Sequence, residues 1–404
     1  MNFCPISNII QCRNFNIGDD FLKQFKASFK NFLRGTDFGL LILCLIASVY
    51  GILLVTSATL HKNPEGVFFS SAAMTMIIST VIGIVLAVIV SMFNPETISR
   101  LWPIIAVVGV GLMVYTRFFG VAPEGREDAV SWIMIGSTVF QPSELLKIGF
   151  IITFSVHLNK VKTNINRLTH LIGLAAHAFV AFFLVSWCGD DGSALVFIFI
   201  FVSMTFLAGL KWYYFLIGAV AAVGGFSFAW FTNIISGYQR DRIMAVFHPE
   251  DYAQTTAYQQ NRAIQAMGSG KFFGKGLFKG DYTQSGYVPV SHNDMILSVA
   301  GEELGLFGTI AIVIIIVAVC MKIMSVATKT QKNVAYYMCC GVAAMIAGQS
   351  IINIGMCLRI LPVIGITLPF FSAGGSSTLC LYLGIGIVMS AYRQAKSRRT
   401  SIMF

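Results

Sequence analysis

The sequence predicts an all-α polytopic membrane protein with about ten transmembrane helices. Of its 404 residues, 56% are hydrophobic and only 11% are charged, whereas soluble domains carry roughly 25% charged residues. The apolar residues fall in long continuous blocks rather than in the stripes of amphipathic helices. Because lipid offers the backbone no hydrogen-bond partner, a bundle of helices is the expected way to bury such blocks.

Windows of about 20 residues, the length that crosses a bilayer, place the predicted spans in order along the chain. They lie near residues 38–58, 67–92, 101–119, 134–157, 169–187, 193–209, 212–232, 295–321, 334–356 and 376–392. We predict one membrane domain over residues 37–394, with a large extracytoplasmic loop at about 233–294, between the seventh and eighth helices. Residues 1–36 and 395–404 are predicted to be cytoplasmic tails, the first of them basic.

The distribution of lysine and arginine predicts the orientation of the chain. With the N-terminus inside, the inner segments hold 17 of the 28 basic residues and four acidic residues, and the outer loops hold ten basic and 11 acidic residues. Since cytoplasmic loops carry the excess of Lys and Arg, both termini are predicted to lie inside. The basic residues are dispersed over separate loops, which argues against nucleic acid as a partner.

Two features are similar to common functional motifs but fit other roles better. The nine cysteines are scattered, without a C-x-x-C or metal-ligand spacing, and we interpret them as core residues. The run Gly268-Ser-Gly-Lys-Phe-Phe-Gly-Lys-Gly276 is similar to a phosphate loop, yet neither Gly-Lys is followed by Ser or Thr and no strand precedes it. We interpret this run as a flexible basic loop near lipid headgroups or an anionic substrate.

The predicted outer loop at 233–294 is too long to be a simple connection. Loops of this length are usually functional or disordered. This one contains five tyrosines and two apolar stretches, Ile243–Phe247 and Ala263–Met267. The apolar stretches indicate that the loop folds partly into helices against the outer membrane face.

The segment Gln141-Pro-Ser-Glu-Leu-Leu-Lys147 is typical of the start of a membrane helix, because Pro and Ser favour helix initiation. Glu144 and Lys147 are three residues apart and can pair on one helix face. They either orient the helix as an ion pair or form a polar wall of a substrate cavity, and both roles can hold together. Trp132, at the predicted outer interface, is either an interfacial anchor or part of that cavity.

Asp190 and Ser376 stand at the starts of two further predicted helices. In Asp190-Asp-Gly-Ser-Ala194, an Asp before the helix can cap it and complements its dipole. In Gly374-Gly-Ser-Ser377, Gly suits a turn and Ser a cap, and the helix N-terminus can also bind an anion. Both residues are therefore candidates for capping and for substrate binding.

Asp294 lies where the polar loop meets an apolar block, in Ser291-His-Asn-Asp294. This pattern matches a capping box, in which Asp294 would occupy the third helical position. The alternative is a functional carboxylate, because a charge at the edge of a membrane is costly to keep. Glu302 would lie about 12 Å deeper on the same helix, at a rise of 1.5 Å per residue. Capping does not explain it, and it suggests a polar cavity that descends from Asp294.

In their order and spacing, several segments resemble the shape, elongation, division and sporulation (SEDS) family, which includes RodA, FtsW and SpoVE. The resemblance covers about residues 37–394. The matching segments are Ser131-Trp-Ile, Phe140-Gln-Pro-Ser-Glu144, Asp190-Asp-Gly-Ser-Ala194, Tyr238-Gln-Arg-Asp-Arg242, Gly274-Lys-Gly-Leu277, His292-Asn-Asp294, Gly301-Glu-Glu-Leu-Gly305, Asn353-Ile-Gly-Met356, Leu361-Pro-Val-Ile-Gly-Ile366 and Leu368-Pro-Phe-Phe-Ser-Ala-Gly-Gly-Ser-Ser377.

This resemblance implies a peptidoglycan glycosyltransferase that polymerises lipid II at the outer face of the bacterial cytoplasmic membrane. It implies Asp294 as the key acid and maps Trp132 and Glu144 onto family positions. It further implies two partners. One is the nascent glycan strand, and the other is a class B penicillin-binding protein transpeptidase in a cell-wall elongation or division complex. A divalent cation, Mg²⁺ or Mn²⁺, is expected by the same analogy, although no metal motif is visible.

The chain departs from the family pattern at several positions beside the key residues. Asn293 and Met295 replace the usual Thr and Phe on either side of the Asp, and Ala373 replaces the usual Tyr before the late Gly-Gly. The run Gln284-Ser-Gly-Tyr-Val-Pro289 is more similar to the RodA branch than to FtsW. The sequence leaves open the role in elongation, division or sporulation and the identity of the transpeptidase.

The implied reaction joins the 4-hydroxyl of one lipid-linked disaccharide to the anomeric carbon of a growing chain, and undecaprenyl diphosphate leaves. The hydroxyl needs a general base and the diphosphate needs cationic groups. We assign Asp294 as the base and Arg242, Lys275 and Lys147 as candidate cations, with His292 as a further substrate-binding residue. The alternatives are a lipid II flippase, which would place paired charges near mid-membrane, and a structural scaffold for the cell-wall machinery.

Overall fold

Apolar helices form most of the chain in the computed structural model, which describes residues 36–62, 67–122, 129–136, 138–232, 234–235, 237–330 and 333–402, with side chains up to residue 397. The elements of the first half are α1 (Phe38–Thr59), α2 (Ser71–Met92), α3 (Pro95–Arg100), α4 (Trp102–Phe119), β1 (Ile133–Ile135), β2 (Thr138–Phe140), α5 (Pro142–Val161), α6 (Leu168–Trp187), α7 (Asp191–Leu207) and α8 (Trp212–Phe231). The second half contains α9 (Gly237–Phe247), α10 (Tyr258–Ser269), α11 (Asp281–Gln284), α12 (Ile296–Glu303), α13 (Gly305–Ala327), α14 (Val334–Cys357) and α15 (Gly375–Ile402).

Eight helices in the described ranges are long and apolar enough to cross a membrane: α1, α2, α4, α6, α8, α13, α14 and α15. Helix α7 is a shorter apolar helix, and α5 has 20 residues and carries Glu144 and Lys147 in its first turns. The all-α membrane class is confirmed. The count of about ten crossing helices remains a prediction.

Helix α14 lies at the centre of the bundle and α8 lies at its edge. In the most apolar window of α14, 83% of the residues are buried, whereas none is buried in that of α8. Helix α14 packs against α5, α7, α13 and α15. The apolar side chains of α8 are therefore left to contact lipid, which accepts them without a protein neighbour.

The predicted span at 134–157 is wrong in its first part. Strands β1 and β2 form an antiparallel hairpin in which Ile133 pairs with Phe140 and Ile135 with Thr138. The β-branched residues favour strands over a helix, and Gly136 allows the turn with a φ of 62°. The helix begins only at Pro142, as the Pro at its first position predicted.

The predicted span at 295–321 is divided into α12 and α13. The break lies at Gly305, which has a φ of 67°, a conformation that glycine adopts at little cost. A Cβ atom at this position would lie 2.4 Å from the main-chain nitrogen of Gly274. The break therefore follows from a close approach of the segment after α10, a contact that hydropathy does not reveal.

The glycine-rich run at 268–276 packs closely on the break between α12 and α13, so its interpretation as a flexible loop is wrong. Lys275 N–H donates to the carbonyl of Glu302 at 3.0 Å, and Gly276 N–H donates to that of Glu303 at 2.8 Å. A Cβ atom on Gly274 would lie 2.2 Å from the carbonyl oxygen of Glu303. The glycines thus serve backbone packing against a helix end.

The long segment before α12 is partly helical, as predicted. Ile243–Phe247 lies in α9 and Ala263–Met267 lies in α10. From Asp37 onward the chain forms one compact unit, and the bounds of the membrane domain at residues 37–394 remain a prediction. Residues 1–35 of the predicted basic tail lie outside the described residues, and residues 395–402 continue α15.

Candidate active site

A cavity of about 710 Å³ lies at one end of the helix bundle. It is bounded by the first turn of α2, the residues that begin α5, α7 and α15, and the segments before α12 and α15. Six of the residues that the sequence singled out line it: Trp132, Asp190, Arg242, His292, Asp294 and Ser376. A concave site with several convergent polar groups is the usual form of a binding or catalytic site.

Asp294 is the cavity residue with the clearest chemical potential. Its side chain is buried, with 8% of the residue exposed, and its Oδ1 atom has no hydrogen-bond partner among the described residues. A buried polar oxygen without a partner costs free energy, so a role in binding or reaction accounts for it better than one in folding.

The capping interpretation of Asp294 is wrong. Helix α12 begins at Ile296, its N-cap residue is Met295, and no side chain caps it. Asp294 therefore precedes the helix instead of occupying its third position. It lines the cavity, and its carboxylate does not cap the first turn of α12.

Burial raises the pKa of Asp294 from 3.8 to about 6. The backbone N–H groups of Asp294 and Met295 and the positive charge of Arg242 oppose this shift. The carboxylate is thus mostly ionised at pH 7, and it is a stronger base than an exposed aspartate.

The main chain at Asp294 is held in place by α14. Asn353 Nδ2 donates to the carbonyl of Asp294 and to that of Ile366, both at 2.7 Å. The thiol of Cys357 donates to the same carbonyl of Asp294 at 3.4 Å. Asn353 is fully buried, so this anchor is rigid. The sequence offered Asn353 only as part of a matching motif and gave no sign of this role.

Asp190 lines the cavity but its carboxylate is occupied by the protein. Oδ1 accepts from the backbone N–H of Ser193 at 3.1 Å and caps α7, as predicted. Oδ2 accepts from Gln141 Nε2 and from Ser143 Oγ, both at 2.7 Å. Asp190 therefore joins the starts of α5 and α7, and it shapes the cavity wall more than it offers a reactive group.

Ser376 and Trp132 line the cavity from two further elements. Ser376 Oγ accepts from the backbone N–H of Gln141 at 3.1 Å, which ties the first turn of α15 to the start of α5. Trp132 lies just before β1 and forms a β-bridge with Val121. This bridge and the hairpin that follows it hold Trp132 at the cavity wall, where its indole is available to a bound ligand.

Arg242 and His292 complete the cavity residues identified from the sequence. Arg242 projects from α9, and its guanidinium lies 4.4 Å from the centroid of the Tyr238 ring. The carbonyl of His292 accepts from the backbone N–H of Ala373 at 2.9 Å. Burial lowers the pKa of the His292 imidazole, and the charges of Lys62 and His61 lower it further. His292 is therefore neutral at pH 7 and can donate or accept a hydrogen bond.

Glu144 and Lys147 form the predicted ion pair but do not line the cavity. Their Oε1 and Nζ atoms lie 2.7 Å apart in the first two turns of α5, and both side chains are buried. Breaking such a pair leaves one buried charge without its partner, at a cost of about 3–5 kcal/mol. The orienting role predicted for this pair is the one that the contacts support.

Glu302 and Lys275 also lie outside the cavity, which corrects the prediction of a polar cavity descending from Asp294. Glu302 accepts from Lys275 Nζ at 2.9 Å, from Thr283 N–H at 2.8 Å and from Tyr282 N–H at 2.9 Å. Burial alone would lower the pKa of Lys275, but its hydrogen bonds to Glu302 and Asp281 raise it. Glu302 thus fixes the long segment onto α12.

Four helix starts meet at the cavity, an arrangement that the sequence did not reveal. The lining includes the first residues of α2 and α15 and the residues that precede α5 and α7. A helix N-terminus carries a partial positive charge and free N–H groups. Their convergence and Arg242 offer positive charge to an anionic ligand, beside the carboxylates of Asp190 and Asp294 that also line the cavity.

The residues present do not form a protein cage for a metal ion. In the described part of the chain, no group of three or more His, Cys, Asp or Glu side chains could hold one. Asp294, which lines the cavity, nevertheless has one carboxylate oxygen, Oδ1, without a hydrogen-bond partner among the described residues. Mg²⁺ is often held by one or two carboxylates together with substrate phosphates, so the donor set fits a cation that arrives with a diphosphate.

Comparison with known proteins shows which family the chain belongs to. A family model described as cell cycle protein, for FtsW, RodA and SpoVE, matches residues 38–397. The chain belongs to this family. It is 29% identical to the peptidoglycan glycosyltransferase MrdB of Escherichia coli K12 over 320 residues, which are 79% of this chain and 85% of that protein. It is 28% identical to a probable peptidoglycan glycosyltransferase FtsW of Geobacter metallireducens over 380 residues, 92% and 98% of the two chains.

Two solved structures share the fold. One chain, from a study of structural coordination of polymerization and crosslinking by a peptidoglycan synthase complex, matches with a TM-score of 0.76 and 24% identity, covering 89% of this chain and 98% of that one. The rod shape determining protein RodA of Thermus thermophilus matches with a TM-score of 0.65 and 22% identity, covering 89% and 97%. The similar identities to MrdB and FtsW leave the RodA branch a prediction.

The departures from the FtsW, RodA and SpoVE pattern at Asn293, Met295 and Ala373 lie at the candidate active-site cavity or behind it. Asn293 and Ala373 line the cavity. Met295 is fully buried, and its sulfur lies 3.9 Å from Cys357 Sγ. Met295 therefore packs behind Asp294, while the other two residues alter the surface that meets the ligand.

Proposed function

We propose that this chain polymerises peptidoglycan glycan strands from lipid II, with release of undecaprenyl diphosphate. The observation that carries the proposal is the buried, unpaired carboxylate oxygen of Asp294, a residue that lines the cavity together with Arg242, in a chain of the FtsW, RodA and SpoVE family. Relatives named peptidoglycan glycosyltransferase match over most of their length.

In the proposed reaction Asp294 acts as the general base. It takes the proton from the 4-hydroxyl of an incoming lipid-linked disaccharide. The oxygen then bonds to the anomeric carbon of the growing strand as the bond from that carbon to the diphosphate oxygen breaks. The raised pKa of Asp294, about 6, suits this task, because a base is most effective when its pKa lies near the working pH.

The leaving diphosphate needs positive charge, and Arg242 with the four helix starts supplies it. Arg242 is the predicted cation that lines the cavity. Lys147 is buried against Glu144, and Lys275 pairs with Glu302 and Asp281. Preorganised N–H groups and charges that meet the developing charge often lower the barrier of such reactions more than any other effect does.

The proposed orientation places this cavity at the outer face of the bacterial cytoplasmic membrane, with both termini inside. The count of Lys and Arg supports it. A site at the ends of the helices lets the sugars and diphosphate stay in water while the polyprenyl tail lies in the bilayer. A flippase would instead need its charged groups near the middle of the bundle, and the cavity described here begins at helix starts.

We also propose a divalent cation, Mg²⁺ or Mn²⁺, held by the substrate diphosphate with Asp294 Oδ1 as the available protein donor. When bound, it would neutralise charge on the leaving group. A class B penicillin-binding protein transpeptidase is the proposed partner, within an elongation or division complex. The similar chain from the peptidoglycan synthase complex supports this proposal at the level of the fold.

The test is polymerisation by the full chain alone. Purified protein in detergent is given lipid II with Mg²⁺ or Mn²⁺, and the products are separated by length. Glycan strands formed without a second enzyme would support the proposal. Unchanged lipid II, from a protein shown to be folded and with each cation tried, would contradict it.

A further inference from the structure

A row of aromatic and cationic side chains crosses the segment between α8 and α12. The guanidinium of Arg262 lies 5.0 Å from the ring centroid of Tyr258 and 3.8 Å from that of Tyr287. The rings of Tyr287 and Tyr282 are 4.7 Å apart, and Lys275 Nζ lies 4.9 Å from the Tyr282 ring. We call these five residues the tyrosine row.

The tyrosine row is fixed at both ends. Tyr287 Oη donates to Gln265 Oε1 at 2.8 Å, and Arg262 is held between two rings. At the other end, Lys275 Nζ is anchored by the fully buried Glu302 at 2.9 Å. Side chains that are already ordered lose little freedom when a ligand binds, which favours affinity.

Two residues that line the candidate active-site cavity are close in sequence to members of the tyrosine row. Gln259, the neighbour of Tyr258 in α10, lines the cavity, and so does Val290, three residues beyond Tyr287. All five side chains of the row are partly exposed. A molecule leaving the cavity on this side would therefore meet the row directly.

The chemistry of the tyrosine row fits a glycan. A tyrosine ring offers an apolar face with a polar edge, and the C–H face of a pyranose can lie against such a ring while its hydroxyls bond to Gln265 or to water. Arg262 adds positive charge for carboxylates that sugars or attached peptides carry, whereas the charge of Lys275 is already paired with Glu302 and Asp281. A protein partner is the competing occupant, because tyrosine and arginine are also enriched at protein interfaces, and the binding test below separates the two.

We infer that the tyrosine row binds the glycan strand as it leaves the active-site cavity. The inference rests on the proposed polymerase function and adds a product-binding site to it. The strand is the molecule that stays between additions, whereas each undecaprenyl diphosphate departs. By holding sugars already added, the row keeps the strand on the enzyme and so lengthens the product.

Binding of a finished strand tests the inference without any catalysis. Soluble glycan strands, free of lipid and fluorescently labelled, are titrated onto the purified full chain, onto Tyr287→Ala and onto Arg262→Ala. Tyr252→Ala is the matched control, since it removes a partly buried tyrosine of the same segment outside the row. We expect the two row variants to bind roughly tenfold more weakly and the control to bind as the unmodified chain does.

Equal affinity in all four proteins, or binding by none, would overturn the inference. Binding of a purified transpeptidase that is lost in the row variants, with glycan binding unchanged, would assign the row to a protein partner and also overturn it. A chain that polymerises lipid II but binds no strand refutes only the inference. A chain that binds strands but never polymerises refutes only the proposed function.

Product length gives a second readout in the active enzyme. Tyr287→Ala should make shorter strands than the unmodified chain, whereas the control Tyr252→Ala should make strands of unchanged length. Thermal unfolding in detergent identifies any variant that fails to fold, and Arg262→Lys, which keeps the charge but not the planar stack, serves in its place. Strands of unchanged length from folded variants would contradict the inference.

Discussion

Asn353 Nδ2 donates a 2.7 Å hydrogen bond to the main-chain carbonyl of Asp294. A second bond of 2.7 Å joins the same amide to the carbonyl of Ile366. One buried side chain of α14 thus fixes two segments that line the cavity. This explains how Asp294 keeps its position although it precedes α12 and caps nothing.

Asn353→Ala should therefore reduce polymerisation strongly while Asp294 is still present. The substitution leaves the buried carbonyl of Ile366 without its donor, at a cost of about 1–3 kcal/mol, and it leaves the carbonyl of Asp294 only the weak thiol donor of Cys357. The base can then move. We expect kcat to fall by roughly a hundredfold and KM for lipid II to change little. An unchanged kcat in the folded variant would show that this anchor does not position the base.

The pH dependence of the reaction should reveal the ionisation of Asp294. Because the base must be ionised and its pKa is raised to about 6, kcat/KM should fall about tenfold per unit as the pH drops below this value. The charge of Arg242 lowers the pKa of Asp294, so Arg242→Gln should shift this acidic limb to higher pH as well as lower the plateau. A limb near pH 4, or one that Arg242→Gln leaves in place, would argue against Asp294 as the titrating group.

Asp294→Asn should not destabilise the protein at neutral pH. Since the pKa is raised from 3.8 to about 6, the folded state disfavours the ionised form. This destabilisation of the folded state is absent at pH values below 3.8 and fully present at pH values above about 6. Removing the charge should leave the free energy of unfolding unchanged or raise it by up to about 3 kcal/mol at pH 7. A clear fall in Tm, measured in detergent, would mean that Asp294 is structural.

Glu302→Gln should lower the stability of the chain, because every contact described above for Glu302 is with another protein group. Loss of its charge breaks the pair with Lys275 and weakens the bonds to Tyr282 and Thr283, so stability should fall by about 3–5 kcal/mol. Asp281→Asn is the control: its side chain is 85% exposed, and it should cost about 0–1 kcal/mol. Equal Tm values for the two variants would refute the structural role of Glu302.

Removal of divalent cations should stop polymerisation without unfolding the chain. The described residues provide no protein cage, so the cation is expected to arrive with the diphosphate. Treatment with a chelator should abolish strand formation, added Mg²⁺ or Mn²⁺ should restore it, and Tm should stay the same without substrate. Full activity in chelator would show that the reaction needs no divalent cation.

The sequence predicted those parts of the fold that depend on local properties of the chain. Hydropathy and length placed α4 and α14 within a residue of their observed ends, because an apolar block long enough to cross a bilayer carries its own signal. It missed the hairpin at Ile133–Phe140 and the break at Gly305, since apolar composition does not distinguish a strand or a bend from a straight helix.

The candidate site was predicted only in part, because much of it depends on contacts between distant residues. Asp294, Arg242 and Trp132 were identified from their motifs and do line one cavity. Asn353 is 59 residues from Asp294 in sequence, so only the folded chain shows their contact. The prediction that Glu302 lines the cavity was wrong. Spacing along a helix gives the depth of a residue, but it does not show which partner the carboxylate binds.

We propose that Asp294 performs the chemistry of strand polymerisation. A comparison of two aspartate variants tests this proposal. Purified unmodified chain, Asp294→Asn and Asp281→Asn are matched for Tm and given lipid II with Mg²⁺ or Mn²⁺. We predict that Asp294→Asn forms no strands while Asp281→Asn retains activity within about twofold of the unmodified chain. Strand formation by folded Asp294→Asn at the rate of the unmodified chain would contradict this claim.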